Sequence, residues 1–319
     1  MSIANRAAGA LITLGLVAGA FAAPALAQDC APSKWGAEDE IGSANLVTAD
    51  RVKMAAELIK MGKATPLGIT IDSETPAYPP RGLSLQVVQP GHTGGKPIDL
   101  GYPAIANDDL AQIWFGIGSQ LDGLGHFGTG TTFYNCNEWS DFAQITGLTK
   151  LGTHNVPPLV GRAVIIDMAA HAGVEFLEGG HPITLAEVQE AMGQQGVEIR
   201  EGDIVLFHTG WTEAKFESAP AEWGSVEPGI LPEVATWLAE QNVLAVGADT
   251  WAVEVVPAPE GGKLFYGHAI LLKENGIYIL ETMNTGPVLR DGVNEFMFVL
   301  GQARIRGAVQ MIINPVALY

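Results

Sequence analysis

The sequence predicts an α/β protein, a single domain whose mixed β-sheet curls round a core and is flanked by helices. Three observations lead there. In the second half, short apolar runs of strand length alternate with helical patterns that carry caps. The first half is richer in loops and turns. The length, 319 residues, suits one large domain or two intimate lobes, and no internal repeat or low-complexity linker divides it.

The elements follow in order. Residues 1–27 read as a secretory leader: Arg6 supplies a positive start, 10–21 an apolar centre, and Ala25-Leu26-Ala27 a small-x-small cleavage site. The apolar centre falls short of the roughly 20 residues that span a bilayer, so export to a periplasm or beyond is expected, and 28–319 form the mature domain. Residues 49–61 carry Val52, Met54, Leu58 and Ile59 behind Thr48, an N-cap residue, and predict an amphipathic helix closed by Gly62. Residues 83–88 have strand composition, broken by the turns Pro90-Gly91 and Gly94-Gly95. Residues 113–117 are expected to be a strand. A buried strand is expected over 161–168, centred on Ala163-Val164-Ile165-Ile166, then a helix over 184–193 with a Thr184/Glu187 capping box. Residues 204–208 form another buried strand. A helix over 231–241, opened by Pro232, feeds a strand over 243–247 that ends at Asp249. Strands at 269–272, 277–280 and 309–313 complete the set.

Charge and cysteine content narrow the function. With 17 Lys+Arg against 35 Asp+Glu the chain carries −18, which argues against nucleic acid or an anionic membrane surface as partner. No further apolar run approaches spanning length. Two cysteines, Cys30 and Cys136, are too few for a cysteine-rich zinc module. In an oxidising compartment an even pair suggests a disulfide.

The chemistry centres on Gln120-Leu121-Asp122-Gly123-Leu124-Gly125-His126. Gln120 and Asp122 are two apart, so on a strand they share a face. His126 lies beyond two glycines that let the chain turn. An amide, a carboxylate and an imidazole can thus converge. His268 precedes the apolar run 269–272 and Glu281 ends the run 277–280, so a hairpin through Glu274-Asn275-Gly276 would set them side by side. Asp249 is expected to order an Asx turn with Thr250. His208 ends a buried strand, either as a core histidine or as a hydrogen-bond partner for substrate. His92, His154, His171 and His181 sit in loops and are expected to be solvated. No Gly-x-Ser-x-Gly elbow, no Gly-x-Gly-x-x-Gly opening a helix, no His-Glu-x-x-His and no Walker loop is present. Ser119 beside His126 leaves a serine-type hydrolase as an alternative.

On these residues the chain resembles the metal-dependent cyclase family, the kynurenine formamidase-like hydrolases. The resemblance rests on 116–126, on Gly202-Asp203-Ile204-Val205-Leu206 with its Thr209-Gly210-Trp211 tail, on Gly247-Ala248-Asp249-Thr250, and on His268 through Glu281. It covers most of the mature chain and implies a swivelling β/β/α cyclase-like domain. The family signature, His-x-Gly-Thr-His-x-Asp-x-Pro-x-His, assigns its first two histidines and its aspartate to metal and its last histidine to acid–base catalysis. Here Gly116 stands for the first histidine and Gln120 for the second, while Asp122 and His126 match. His268 and Glu281 fall where the family has a later metal-binding histidine and glutamate. The Gln-x-Asp-Gly-x-x-His form is similar to the longer branch that includes trans-dienelactone hydrolase.

The resemblance therefore implies metal ligands Gln120, Asp122, His268 and Glu281, with His126 as general acid/base. Being oxygen-rich with one imidazole, the set suits one divalent ion, Mn²⁺ or Zn²⁺. The implied reaction is hydrolysis of a small amide, formamide, lactam or lactone. Trp114, Phe127, Tyr134, His208 and Trp251 are candidates for contact with that small-molecule substrate. The resemblance also implies a homodimer or homotetramer. A catalytically inactive periplasmic module that holds metal or ligand without turnover is the alternative, because two signature histidines are missing.

Overall fold

A computed structural model of the protein describes residues 30–88 and 96–319. The expected leader at 1–27, His92 and the Pro90-Gly91 and Gly94-Gly95 turns lie outside the described residues. The chain divides into two compact units, 1–30 and 31–319, and the larger one carries every element below. Among the described residues no helix is long and apolar enough to cross a membrane.

The larger unit is built on a curled mixed sheet of nine strands. Their spatial order is Ala64–Pro66, Val316–Leu318, Glu295–Leu300, Leu159–Asp167, Ile204–His208, Ala245–Ala248, Tyr278–Glu281, Gln120–Asp122 and Gln310–Ile312. From Leu159–Asp167 to Tyr278–Glu281 the pairing is parallel, and on both flanks it is antiparallel. Parallel strands covered on both faces need continuous apolar runs. Accordingly every residue of Ile204–His208 and Ala245–Ala248 is buried, and Ala163 through Ile166 are fully so. Glu295–Leu300 instead alternates, burying Phe296, Phe298 and Leu300. No element was expected there, although the period-two pattern is plain in the sequence.

The helices follow their caps. Thr48 accepts from the Arg51 backbone N–H at the start of Ala49–Ala56, which stops short of the expected residue 61. The Thr184/Glu187 capping box opens Leu185–Gln195. Pro232 occupies the first turn of Pro232–Glu240.

Two expectations are corrected. The strand near 113 is Asp108–Ile113, which pairs with Leu83–Val88 in a separate two-stranded ribbon. Residues 114–117 are not extended, because the chain turns through Gly116 and Gly118, the latter at φ +63°. The strand that carries the motif is Gln120–Asp122 itself. Residues 269–272 form no strand either: Tyr266–His268 is a helical turn continued by the π-helix Ala269–Glu274. A short run buried on all sides has the same pattern as helix or strand. The chain then returns as Tyr278–Glu281, parallel to Ala245–Ala248. The hairpin expected through 274–276 is therefore absent. Neither cysteine is free, and both Cys30 and Cys136 are disulfide-bonded.

Candidate metal centre

The site forms at the antiparallel edge of the sheet. Gln120–Asp122 lies between Tyr278–Glu281 and Gln310–Ile312, with Gln120 opposite Glu281 and Asp122 opposite Gln310. Strand alternation sends Gln120 and Asp122 to one face and Leu121, fully buried, into the core on the other. Glu281 joins them from the neighbouring strand. His268 arrives from the helical turn, and His126 from the turn after Gly123, where its backbone N–H donates to Gly123 O at 2.9 Å. Gly123 is required by packing: a Cβ would lie 2.6 Å from Val309 O and 2.7 Å from Thr153 Cγ2.

These side chains converge. Asp122 Oδ2 is 3.7 Å from His126 Nε2 and 3.6 Å from His268 Nε2, and His268 Nε2 is 3.3 Å from Glu281 Oε1. One ligand atom each from Asp122, His126 and His268 lie within 4.8 Å of one another. Gln120 directs its amide nitrogen at Glu281 Oε2 and, at 3.3 Å, at Asp122 Oδ1. Of the site, only His126 keeps appreciable exposure, 20% of its side chain.

Two partners were not anticipated. Glu254, 4% exposed, accepts from the backbone N–H groups of Gly267 and His268, each at 2.7 Å, and bonds His268 Nδ1 at 2.6 Å. That leaves Nε2 facing Asp122 and Glu281. Gln310 Nε2 donates to Asp122 Oδ1 at 2.6 Å. Asp122 Oδ2, by contrast, is buried without any hydrogen-bond partner. A buried carboxylate oxygen left bare is costly unless a cation meets it.

The electrostatics agree. Burial pushes the Asp122 carboxyl up, but the imidazoles of His126 and His268 and the Gln310 amide outweigh it and hold the group at about 2. Burial holds His126 below its usual 6.5, against the pull of Asp122. For His268 burial acts downward too, yet Asp122, Glu254 and Glu281 together raise it well above 6.5. Glu281 is raised to about 7 by burial and by the Asp122 charge. Three carboxyl groups thus surround one imidazole, a surplus of negative charge that a proton or a metal ion must offset. A divalent cation fits the donor set.

A cavity of about 180 Å³ opens onto His126, His268 and Glu281, walled by Tyr78, Phe127, Trp251 and Phe265 and reached by Arg81. Phe127 and Trp251 thus face the site. Trp114 is 53% exposed and outside the cavity. Tyr134 is buried with its hydroxyl bonded to Ser33 Oγ and Asp39 Oδ2. His208 is buried elsewhere, its Nδ1 2.8 Å from Thr285 Oγ1.

The Asx turn expected at Asp249 is not formed. Its Oδ1 accepts from Thr209 N and Oγ1, and its Oδ2 from Gly210 N, so it ties the exit of one parallel strand to the next. Ser119, 1% exposed, donates its hydroxyl to Thr282 O and accepts from Ile69 N, with no imidazole bonded to it. His154, His171 and His181 are half-buried rather than freely solvated.

The sequence model described as putative cyclase matches residues 65–255. A crystal structure described as a novel cyclase is similar over 90% of this chain and 96% of that one, with 31% identity and a TM-score of 0.80. Isatin hydrolase A from Ralstonia solanacearum is similar over 80% of this chain and 91% of its own, with 19% identity and a TM-score of 0.60. A predicted metal-dependent hydrolase from Bacillus stearothermophilus covers 80% and 97%, with 16% identity and a TM-score of 0.52. These last two share the fold. No curated protein matches the chain. With the family model spanning more than half of its sequence, and a structure of the same description following nine-tenths of its length, the chain belongs to the cyclase family.

Proposed function

We propose that the protein is a metal-dependent hydrolase of a small amide, formamide, lactam or lactone. The observation that carries this reading is the bare, buried Asp122 Oδ2 set between His126 and His268. Asp122 and His268, with Glu281 and Gln120 beside them, would hold one divalent ion. Two or three oxygens with one imidazole suit Mn²⁺ at least as well as Zn²⁺. Bound there, such an ion lowers the pKa of a water and polarises a carbonyl.

The remaining work falls to the chain's own groups. His126 is kept neutral by burial and faces the cavity. It takes a proton from the attacking water and returns one to the leaving nitrogen or oxygen. Glu254 fixes the tautomer and orientation of His268. Gln310 and Gln120 orient the carboxylates. The aromatic walls exclude bulk water and hold the ring or acyl part of the substrate.

The Gln-x-Asp-Gly-x-x-His form of the motif supports placement in the branch that includes trans-dienelactone hydrolase. The bonded cysteines and the leader-like composition of 1–27 support export to a periplasm. Exposed Leu85, Val87 and Leu110 on the ribbon support self-association as a homodimer or homotetramer.

Metal analysis after dialysis, followed by turnover of formanilides and lactones with and without chelator, tests the reading. Chelator-sensitive turnover is expected. Metal without turnover on any of them would indicate the inactive binding module, and chelator-resistant turnover would refute the metal-dependent reading.

A further inference from the structure

Arg81 is the one arginine or lysine lining the cavity among the described residues. Its Nη1 donates to Gly116 O at 2.7 Å, and among the described residues the side chain makes no other hydrogen bond and no ion pair. This is unusual in so acidic a chain, where the half-buried guanidinium has carboxylates within the same site. A guanidinium carries five donors and a fixed charge, so most of its bonding capacity is unspent.

The position is made by Gly116. A Cβ there would lie 2.6 Å from Arg81 Nη1, 2.8 Å from its Cζ and 2.7 Å from Gln310 Oε1. Any side chain at 116 would displace the guanidinium. The glycine at the first position of the motif therefore leaves room for a cation held by residue 81. Beside it the walls are aromatic: Tyr78 stacks on Trp251 at 5.6 Å between ring centres, and Phe265 meets Trp251 edge-on at 6.3 Å. At about 180 Å³ the space is smaller than a typical drug-sized pocket of roughly 300–1,000 Å³, and suits a single ring with short substituents.

We propose that Arg81 is a substrate-binding residue that selects a single-ring aromatic compound bearing a carboxylate. The carboxylate pairs with the open face of the guanidinium, the ring lies among Tyr78, Trp251 and Phe265, and the scissile group is presented to His126 and His268. The inference rests on the cavity being the substrate site, as proposed above.

Binding of benzoate and benzamide by calorimetry tests it, using metal-loaded and chelator-treated protein of wild type, Arg81→Gln and Arg81→Lys. Benzoate is expected to bind about 10–100-fold more tightly than benzamide, the contribution of a charge-assisted bond, in both metal states. Arg81→Gln should abolish that preference, Arg81→Lys should keep part of it, and metal content should stay at the wild-type level in both. Should Arg81→Gln fail to fold, Arg81→Met, which keeps the apolar stem and removes the guanidinium, reads the same loss. Unchanged benzoate preference in Arg81→Gln, or preference seen only in metal-loaded wild type, would overturn the proposal. Chelator-sensitive hydrolysis of formanilides and lactones, scored separately, reports on the hydrolase reading: its absence alongside Arg81-dependent benzoate binding leaves an aromatic-anion site without turnover.

Discussion

Glu254→Gln isolates the contribution of one buried carboxylate to the metal centre. Glu254 Oε1 serves both His268 N at 2.7 Å and His268 Nδ1 at 2.6 Å, while Oε2 serves Gly267 N at 2.7 Å. The amide keeps one acceptor and turns the other into a donor, so either an N–H faces the Gly267 N–H or His268 loses its partner. A hydrogen bond to a charged group contributes about 1.5–3 kcal/mol, and an orphaned buried donor costs about 1–3 kcal/mol. Part of that sum appears as lost fold stability and part as a misoriented His268. Losing an outer partner of a metal-binding histidine typically weakens metal binding by about 10–100-fold, which corresponds to about 1.4–2.7 kcal/mol. Titration of chelator-stripped protein with Mn²⁺ or Zn²⁺ against a chromophoric chelator measures it, with a melting curve for the fold. Metal affinity within about twofold of wild type in the Gln variant would refute the claim that Glu254 orients a metal-binding imidazole.

Further outcomes are expected. His126→Ala should lower turnover by about 10²–10⁴-fold, the usual contribution of a general acid–base, with metal content retained; metal loss on elemental analysis would make His126 a ligand instead. Gly123→Ala should destabilise the fold and empty the site together, since its Cβ would meet Val309 O at 2.6 Å beside Asp122; an unshifted melting temperature would show that the edge strands can move apart. Gly193→Ala is the opposite case: exposed inside Leu185–Gln195, with nothing within 4 Å of a Cβ, it should stabilise by about 0.5–1 kcal/mol, and a lower melting temperature would count against that helix.

What the sequence made legible has physical causes. Residues 204–208 are all apolar up to His208 because parallel strands are covered on both faces, and their bounds are those expected. The shared face of Gln120 and Asp122 follows from strand alternation, and the capping box from its own residues. Glu281 was located as a strand end. For His268 the sequence predicts a hairpin that the structure does not form, because a run of four buried apolar residues carries no period; the histidine reaches the same place on a helical turn. Glu254, Gln310 and Arg81 were missed. Gln310 is 188 residues from Asp122 in sequence, and only strand pairing brings them together. Glu254 follows a strand end in irregular chain, where an acid is unremarkable. The one trace of Arg81 was Gly116, whose meaning lies in the side chain that fills its space.

The claim that Asp122 Oδ2 awaits a cation is tested most directly by elemental analysis of dialysed wild-type protein beside Asp122→Ala, both shown to be folded by circular dichroism. About one divalent ion per chain, Mn²⁺ or Zn²⁺, is predicted in wild type and none in the variant. A folded wild-type protein that neither carries nor takes up a divalent ion, or an Asp122→Ala protein with undiminished metal, would contradict it.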